Sequence, residues 1–157
     1  MLSDIVLYPG YFSPIIHYVA LAKAKSILFE VEDNFQKQTY RNRCYIYGAS
    51  GKQLLNIPVK HNNVTRKTKD IRIENDFQWK KQHIKSIQTA YRASPYFEFY
   101  EEDILTLFNK KYTYLLDFNF YTQQTILELL QLEITSKLTE EYHKTYNDIT
   151  DLRVLVN

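Results

Sequence analysis

The start of the chain constrains the fold most strongly. Residues 4–8 form a short apolar run that a proline–glycine pair ends, and such a run predicts a buried strand followed by a turn. Ser13 and Pro14 suit a helix start, because a hydroxyl can cap the helix and proline fits its first turn. A second apolar run follows at residues 26–31. Strand, helix and strand within about thirty residues predict a βαβ unit with parallel strands.

The rest of the chain predicts a hairpin and then a helical half. Residues 44–47 alternate as a strand does, and residues 53–59 return after a turn as its partner. Residues 70–74 predict another strand, and apolar residues then recur every three or four positions. The predicted helices cover residues 76–94, 101–109, 114–132 and 135–146, and residues 151–157 predict a strand.

These elements together indicate an α/β protein. We expect a mixed sheet that contains the N-terminal βαβ unit and the hairpin, covered by a helical C-terminal half. A chain of 157 residues is long enough to bury one core, so residues 1–157 are expected to form a single domain.

A basic segment at residues 35–43 is the main candidate for a binding site. It contains Lys37, Arg41 and Arg43 and no acidic residue. Guanidinium groups donate in a fork that matches phosphate or carboxylate oxygens. A solvated, basic strand edge is the alternative explanation. The segment leaves the second strand at the sheet edge where ligands bind in open α/β folds, near a helix N-terminus that favours anions. We therefore predict an anion site.

Candidate site residues follow from that placement. Two residues are candidate catalytic groups. His17 lies one turn into the first helix and could transfer a proton, or could simply be packed. Asp33 could act as a base, bind a metal or orient an arginine. The predicted substrate-binding residues are Tyr11, Ser13, Lys37, Arg41, Asn42 and Arg43. Residues 61–69 could form a lid over a phosphate, or a solvated loop.

Composition excludes several classes of protein. Three glycines rule out the usual glycine-rich phosphate loop, and a net charge of +2 does not argue for nucleic acid. The single Cys44 cannot form an internal disulfide, and no Cys/His spacing suits zinc. No signal peptide or membrane-spanning run is present. We therefore expect a cytoplasmic protein with no metal, cofactor, nucleic-acid partner or membrane insertion.

Several strings in the chain together resemble the WbqC-like family of bacterial proteins. They occur in the family's order and spacing from Tyr8 to about Leu132. The strings are Tyr11–Pro14, Gln36–Arg43, Leu55–Val59, Trp79–His83 and Ala90–Phe97. The family-typical positions matched are Tyr11, Phe12, Pro14, Lys37, Arg41, Asn42, Arg43, Pro58, Trp79, Tyr91, Pro95 and Phe97.

This resemblance implies a role in modifying sugars. The family is associated with O-antigen and other surface-polysaccharide gene clusters, and a glycine (aminoacyl) transferase activity has been proposed for it. It has no established catalytic residues to transfer to this chain. Family members generally continue beyond the equivalent of Asn157, so the resemblance implies either a shorter variant or a chain that lacks a C-terminal segment.

Three functions are therefore considered. The first is a group transferase that transfers an aminoacyl or similar group and binds an activated or phosphate-bearing sugar. The second is a non-catalytic binding or assembly partner in the same pathway. The third is a nucleotidyltransferase-like enzyme, because residues 12–17 are similar to a Phe-Asp-Pro-x-His motif. This chain has Ser13 in place of the aspartate and one extra residue before His17, and the third function requires His17 to face a nucleotide phosphate.

Overall fold

The computed structural model describes residues 3–61 and 67–157. Its strands are β1 (Ile5–Leu7), β2 (Ile27–Phe29), β3 (Arg43–Gly48), β4 (Gly51–Asn56), β5 (Ser136–Leu138) and β6 (Thr150–Asp151). Its α-helices are α1 (Ile15–Lys23), α2 (Trp79–Tyr91), α3 (Phe97–Thr106) and α4 (Leu115–Leu129), and two 3₁₀ turns cover Thr68–Asp70 and Arg153–Val156. In the described part of the chain, no helix is both long and apolar enough to cross a membrane.

A parallel four-stranded sheet is built on the βαβ unit. The strand order is β5-β2-β1-β6, and every neighbouring pair is parallel. Ile5 pairs with Ile27 and Leu7 with Phe29, while α1 crosses between the two strands. The predicted βαβ unit is therefore confirmed. All four strands end at one edge of the sheet.

The predicted hairpin is also confirmed. Strands β3 and β4 are antiparallel, and Gly48 pairs with Gly51 across a two-residue turn. Gly51 has a φ of 101°, which glycine adopts without steric cost. The hairpin forms a sheet of its own, so the parallel and antiparallel strands lie in two separate sheets. The α/β class and the helical C-terminal half are as expected.

Helix α4 joins two hydrophobic cores. Its Phe118 lies in the core between the hairpin and the C-terminal helices, where Tyr11, Trp79 and Leu55 are also buried. Its Leu127 lies in the core of the parallel sheet, against Leu7 and other side chains of β1, β2 and α1. The helical half therefore covers both sheets, and the segment between β2 and β3 connects them.

Several element predictions were wrong in detail. Residues 135–146 are not a helix: β5 pairs with β2, and the Thr139 amide donates to the carbonyl of Phe29. Residues 70–74 contain isolated bridges rather than a ladder strand. The end of the chain has only the short β6 before a 3₁₀ turn. For residues 135–146, pairing with a distant segment overrides the local pattern.

Candidate functional site

Arg41 lies in the protein interior, paired with Asp33. Its side chain is 1% exposed, and its Nε and Nη2 atoms lie 3.1 and 3.0 Å from Asp33 Oδ2. Nη1 donates to Thr39 Oγ1 at 3.1 Å, and the guanidinium stacks 4.1 Å from the centroid of the Tyr8 ring. Burial raises the pKa of Asp33, while Arg41 and the hydroxyl of Thr68 oppose that shift. Asp33 therefore orients Arg41, which was one of the three roles considered for it.

The carboxyl edge of the parallel sheet is closed by a second buried ionic group. Glu30, which follows β2, is 0% exposed and accepts a hydrogen bond from Thr139 Oγ1 at 2.9 Å. Arg153 Nη1 lies 3.5 Å from Glu30 Oε2, and the same guanidinium binds Asp151 at 2.9 and 2.6 Å. This edge was expected to hold the ligand. Instead, its charged side chains pair with one another.

The other two cations of the basic segment line a cleft on the hairpin side. Lys37 and Arg43 form part of the wall of a cavity of about 450 Å³. We call it the basic cleft. Its other polar lining residues are Gln38, Asn42, Asn56, His61 and Glu74, and its apolar wall includes Phe35, Ile57, Pro58, Val59 and Phe77. The structure thus brings together three of the predicted binding residues: Lys37, Asn42 and Arg43.

Amide groups, not carboxylates, hold the basic side of this cleft. Arg43 Nε donates to Asn56 Oδ1 at 3.1 Å, and Asn42 Nδ2 donates to the carbonyl of Ile57 at 3.0 Å. Within residues 3–61 and 67–157, neither Lys37 nor Arg43 forms an ion pair. An arginine held by a neutral partner keeps its charge for an anion from solution.

Two titratable cleft residues were not among the predicted catalytic groups. His61 is exposed, and Glu74 is half-buried with Oε1 accepting from the Asp76 amide at 3.3 Å. The antiparallel bridge between Val59 and Ile73 brings the segments that carry them together. The alternating residues 70–74 were a signal that this segment is extended, but no local pattern connects it to the hairpin end.

The remaining predicted site residues do not line the basic cleft. Tyr11 is 0% exposed, and its hydroxyl lies 2.7 Å from His83 Nδ1 in the core. Ser13 is half-buried next to Gly10, and it makes no capping bond to α1. Both are therefore separated from Lys37 and Arg43.

His17 is packed in the interior. Its ring is 3% exposed, and neither nitrogen has a hydrogen-bond partner among the described residues. Burial lowers the pKa of His17. The nucleotidyltransferase hypothesis requires this ring to reach a nucleotide phosphate, and the buried position does not meet that requirement.

The lid predicted for residues 61–69 lies partly outside the described residues, which omit 62–66. At one end His61 lines the cleft. At the other, Lys67 and Lys69 bind Glu32 at 2.7 and 2.6 Å. These two lysines are therefore paired away from the cleft.

A larger apolar cavity lies behind the hairpin and is distinct in chemistry. It has a volume of about 480 Å³ and is enclosed by side chains of β3, α2, α3 and α4, including Ile46, Ile87, Phe97 and Leu129. None of the described residues that line it is a lysine or an arginine. Over the described residues, no cluster of three or more histidine, cysteine, aspartate or glutamate side chains could hold a metal ion. The basic cleft is thus the candidate site for an anion.

Comparison with known proteins identifies the family. A family model described as the WbqC-like protein family matches residues 9–156. The chain belongs to the WbqC-like protein family. No curated protein and no solved structure matches it. The WbqC-like match includes every residue that lines the basic cleft, from Phe35 to Phe77.

Proposed function

We propose that this WbqC-like protein is a group transferase of bacterial surface-polysaccharide (O-antigen) biosynthesis. It binds the phosphate of an activated sugar in the basic cleft and transfers an aminoacyl group, such as glycine, or a similar group. One observation carries the proposal: Lys37 and Arg43 line the same cleft, and no described carboxylate neutralises either of them.

The cleft offers contacts that suit both the phosphate and the ring of an activated sugar. The guanidinium of Arg43 and the ammonium of Lys37 match phosphate oxygens. The apolar wall includes Phe35 and Phe77, and the Phe77 side chain is 67% exposed. Aromatic faces of this kind pack against sugar or base rings. A cavity of about 450 Å³ is within the usual range for a small-molecule site.

Group transfer also needs a residue that takes a proton. In an acyl transfer, a sugar hydroxyl or amine attacks the activated carbonyl carbon, a base takes its proton, and the leaving group departs with the electrons of the broken bond. Among the described residues that line the basic cleft, His61 and Glu74 are the ones whose imidazole or carboxylate side chains could accept this proton. In this proposal one of them is the base, in place of His17 and Asp33.

The test combines binding with turnover. Nucleotide-activated sugars are titrated into the protein by calorimetry, and the product of a reaction with an activated aminoacyl donor is detected by mass spectrometry. Arg43→Met should weaken sugar binding roughly tenfold or more, the amount expected for a lost charge-assisted bond. The matched control is Arg72→Met, an exposed arginine outside the cleft. The proposal is wrong if no nucleotide-sugar binds or if Arg43→Met binds as the wild type does.

A second candidate is a non-catalytic binding or assembly partner in the same pathway. Helix α1 favours it, because Ile15, Ile16 and Val19 are 82%, 52% and 40% exposed on one helix. Exposed apolar patches often mark protein contacts. This candidate predicts that a pathway protein binds the wild type but not Ile15→Lys, and that the purified protein turns over no sugar. Any measured transfer reaction would exclude it.

A further inference from the structure

Two arginines of the basic segment have partners of different charge. Arg41 binds the carboxylate of Asp33 and is 1% exposed. Arg43, two positions later, is half-buried and binds the side-chain amide of Asn56. The first pair is neutral overall, whereas the second keeps a full positive charge at the cleft wall.

The orientation of the Asn56 amide is fixed by its donors. Arg43 Nε can only donate, so the atom 3.1 Å from it must be the oxygen of Asn56. The same oxygen lies 3.4 Å from Asn42 Nδ2, whose other contact is the carbonyl of Ile57 at 3.0 Å. One neutral oxygen therefore holds Nε, and the Nη1 and Nη2 groups of Arg43 have no hydrogen-bond acceptor within the described residues.

The protein core fixes the backbone of Asn56. His83 Nε2 lies 3.1 Å from the carbonyl oxygen of Asn56, which can only accept, so Nε2 carries the proton. His83 Nδ1 then accepts from the hydroxyl of Tyr11 at 2.7 Å. Both Tyr11 and His83 are buried. Asn56 is thus an exposed side chain on a backbone that is anchored to the interior.

We propose that Asn56 is the positioning residue that makes Arg43 an anion-binding group. Its oxygen aligns the guanidinium through Nε, and its neutrality leaves the charge on Arg43 available to the phosphate. An aspartate at this position would make the same hydrogen bonds but would neutralise the arginine, as Asp33 does for Arg41. The choice of amide over carboxylate therefore makes this wall of the cleft accept anions. The ligand class rests on the proposed function, while the role of Asn56 does not require turnover.

The test compares Asn56→Asp with Asn56→Ala, using inorganic pyrophosphate as the probe in calorimetry at pH 7.5. Asn56→Ala removes the oxygen that aligns the Arg43 guanidinium but leaves its charge available, so we expect the dissociation constant for pyrophosphate to rise a few-fold. Asn56→Asp keeps the alignment but neutralises the charge, so we expect a rise of at least tenfold. Thermal unfolding of each variant checks that the fold is retained.

The inference depends on which of the two variants loses more affinity for pyrophosphate. If Asn56 were only a structural residue, the near-isosteric Asn56→Asp would be the milder change. The inference is therefore overturned if Asn56→Asp binds pyrophosphate as well as Asn56→Ala or the wild type, or if the wild type binds none.

The measurements can reject the proposed function and the role of Asn56 independently of each other. If pyrophosphate binds in the predicted order but no activated sugar binds, the role of Asn56 stands and the transferase does not. If an activated sugar binds equally to the wild type and Asn56→Asp, the transferase proposal survives and the role of Asn56 is rejected.

Discussion

Arg41 Nη2 lies 3.0 Å from Asp33 Oδ2, and the two side chains are 1% and 3% exposed. The pair links the exit from β2 to the segment that leads into β3. Thr68 joins it, because its hydroxyl donates to the same Asp33 oxygen at 3.0 Å. Of the three cations in the basic segment, Arg41 is therefore part of the junction between the two sheets, and Lys37 and Arg43 are the ones that can meet a ligand.

The first prediction concerns this pair. Asp33→Asn leaves the Arg41 charge buried without a counter-charge, so we expect the free energy of unfolding to fall by about 3–5 kcal/mol. Urea unfolding followed by circular dichroism measures the change. Arg43→Met is the control, because Arg43 is half-buried and forms no ion pair in the described part of the chain, and its stability should change by about 1 kcal/mol or less. Equal stabilities for the two variants would contradict the assignment of Arg41 to the fold.

The second prediction concerns the buried histidine of α2. Burial lowers the pKa of His83 from 6.5 to about 4. Between these values the unfolded chain binds more protons than the folded protein, so stability falls as the pH drops from about 6.5 towards 4. This group contributes at most about 3 kcal/mol over that window. The free energy of unfolding is measured by urea titration at pH 7.5 and pH 5.0.

A pair of substitutions isolates that contribution. His83→Gln should reduce the difference in stability between the two pH values, although it also lowers stability at both. His61→Gln is the matched control because its ring is exposed in the cleft, and it should retain the wild-type difference. If His83→Gln keeps the full difference in unfolding free energy between pH 7.5 and pH 5.0, groups other than His83 cause the loss of stability in acid.

The third prediction concerns the turn after β1. A Cβ atom added at Gly10 would lie 2.6 Å from Ser13 Oγ and 3.0 Å from the backbone oxygen of Tyr40. That oxygen also accepts a hydrogen bond from the Tyr11 amide, so it cannot easily move. We expect Gly10→Ala to lower the free energy of unfolding by about 1–3 kcal/mol, as measured by urea unfolding.

Gly48 supplies the control for the Gly10 substitution. A Cβ atom there would lie 3.8 Å from Ala90 Cβ, an ordinary contact. Gly48→Ala should therefore change stability by less than about 1 kcal/mol. If Gly10→Ala is tolerated equally well, the turn and the basic segment are packed less closely than the structure shows.

Much of the fold could be predicted from the sequence because local patterns determine it. The apolar runs that became β1 and β2, the turn closed by Gly51, and the three- and four-residue spacing from Trp79 to Leu129 all depend on near neighbours. Strand β5 was missed because it is held by pairing with β2, more than one hundred positions away, and its residues are exposed. Pairing between distant segments leaves no periodic pattern of apolar residues in the local sequence.

The site was harder to predict for the same reason. The sequence predicted an anion site at residues 35–43, and it treated Lys37, Arg41 and Arg43 as one group. Their separation depends on Asp33 and Asn56, which lie eight positions before Arg41 and thirteen after Arg43. Side-chain direction at these distances is set by the folded chain. Asn56 faces Arg43 across the β3–β4 hairpin, where the two residues pair, whereas Glu74 reaches the cleft through the contacts of its segment with Pro58 and Val59.

The central claim is that Lys37 and Arg43 together bind the phosphate of the ligand. Calorimetric titration with inorganic pyrophosphate tests it most directly, comparing the wild type with the double variant Lys37→Met/Arg43→Met. The matched control is Lys23→Met/Arg72→Met, which removes the same charges from exposed positions outside the cleft. We predict that the wild type and the control bind with similar affinity and that the cleft variant loses at least tenfold. Equal binding by all three proteins would contradict the account.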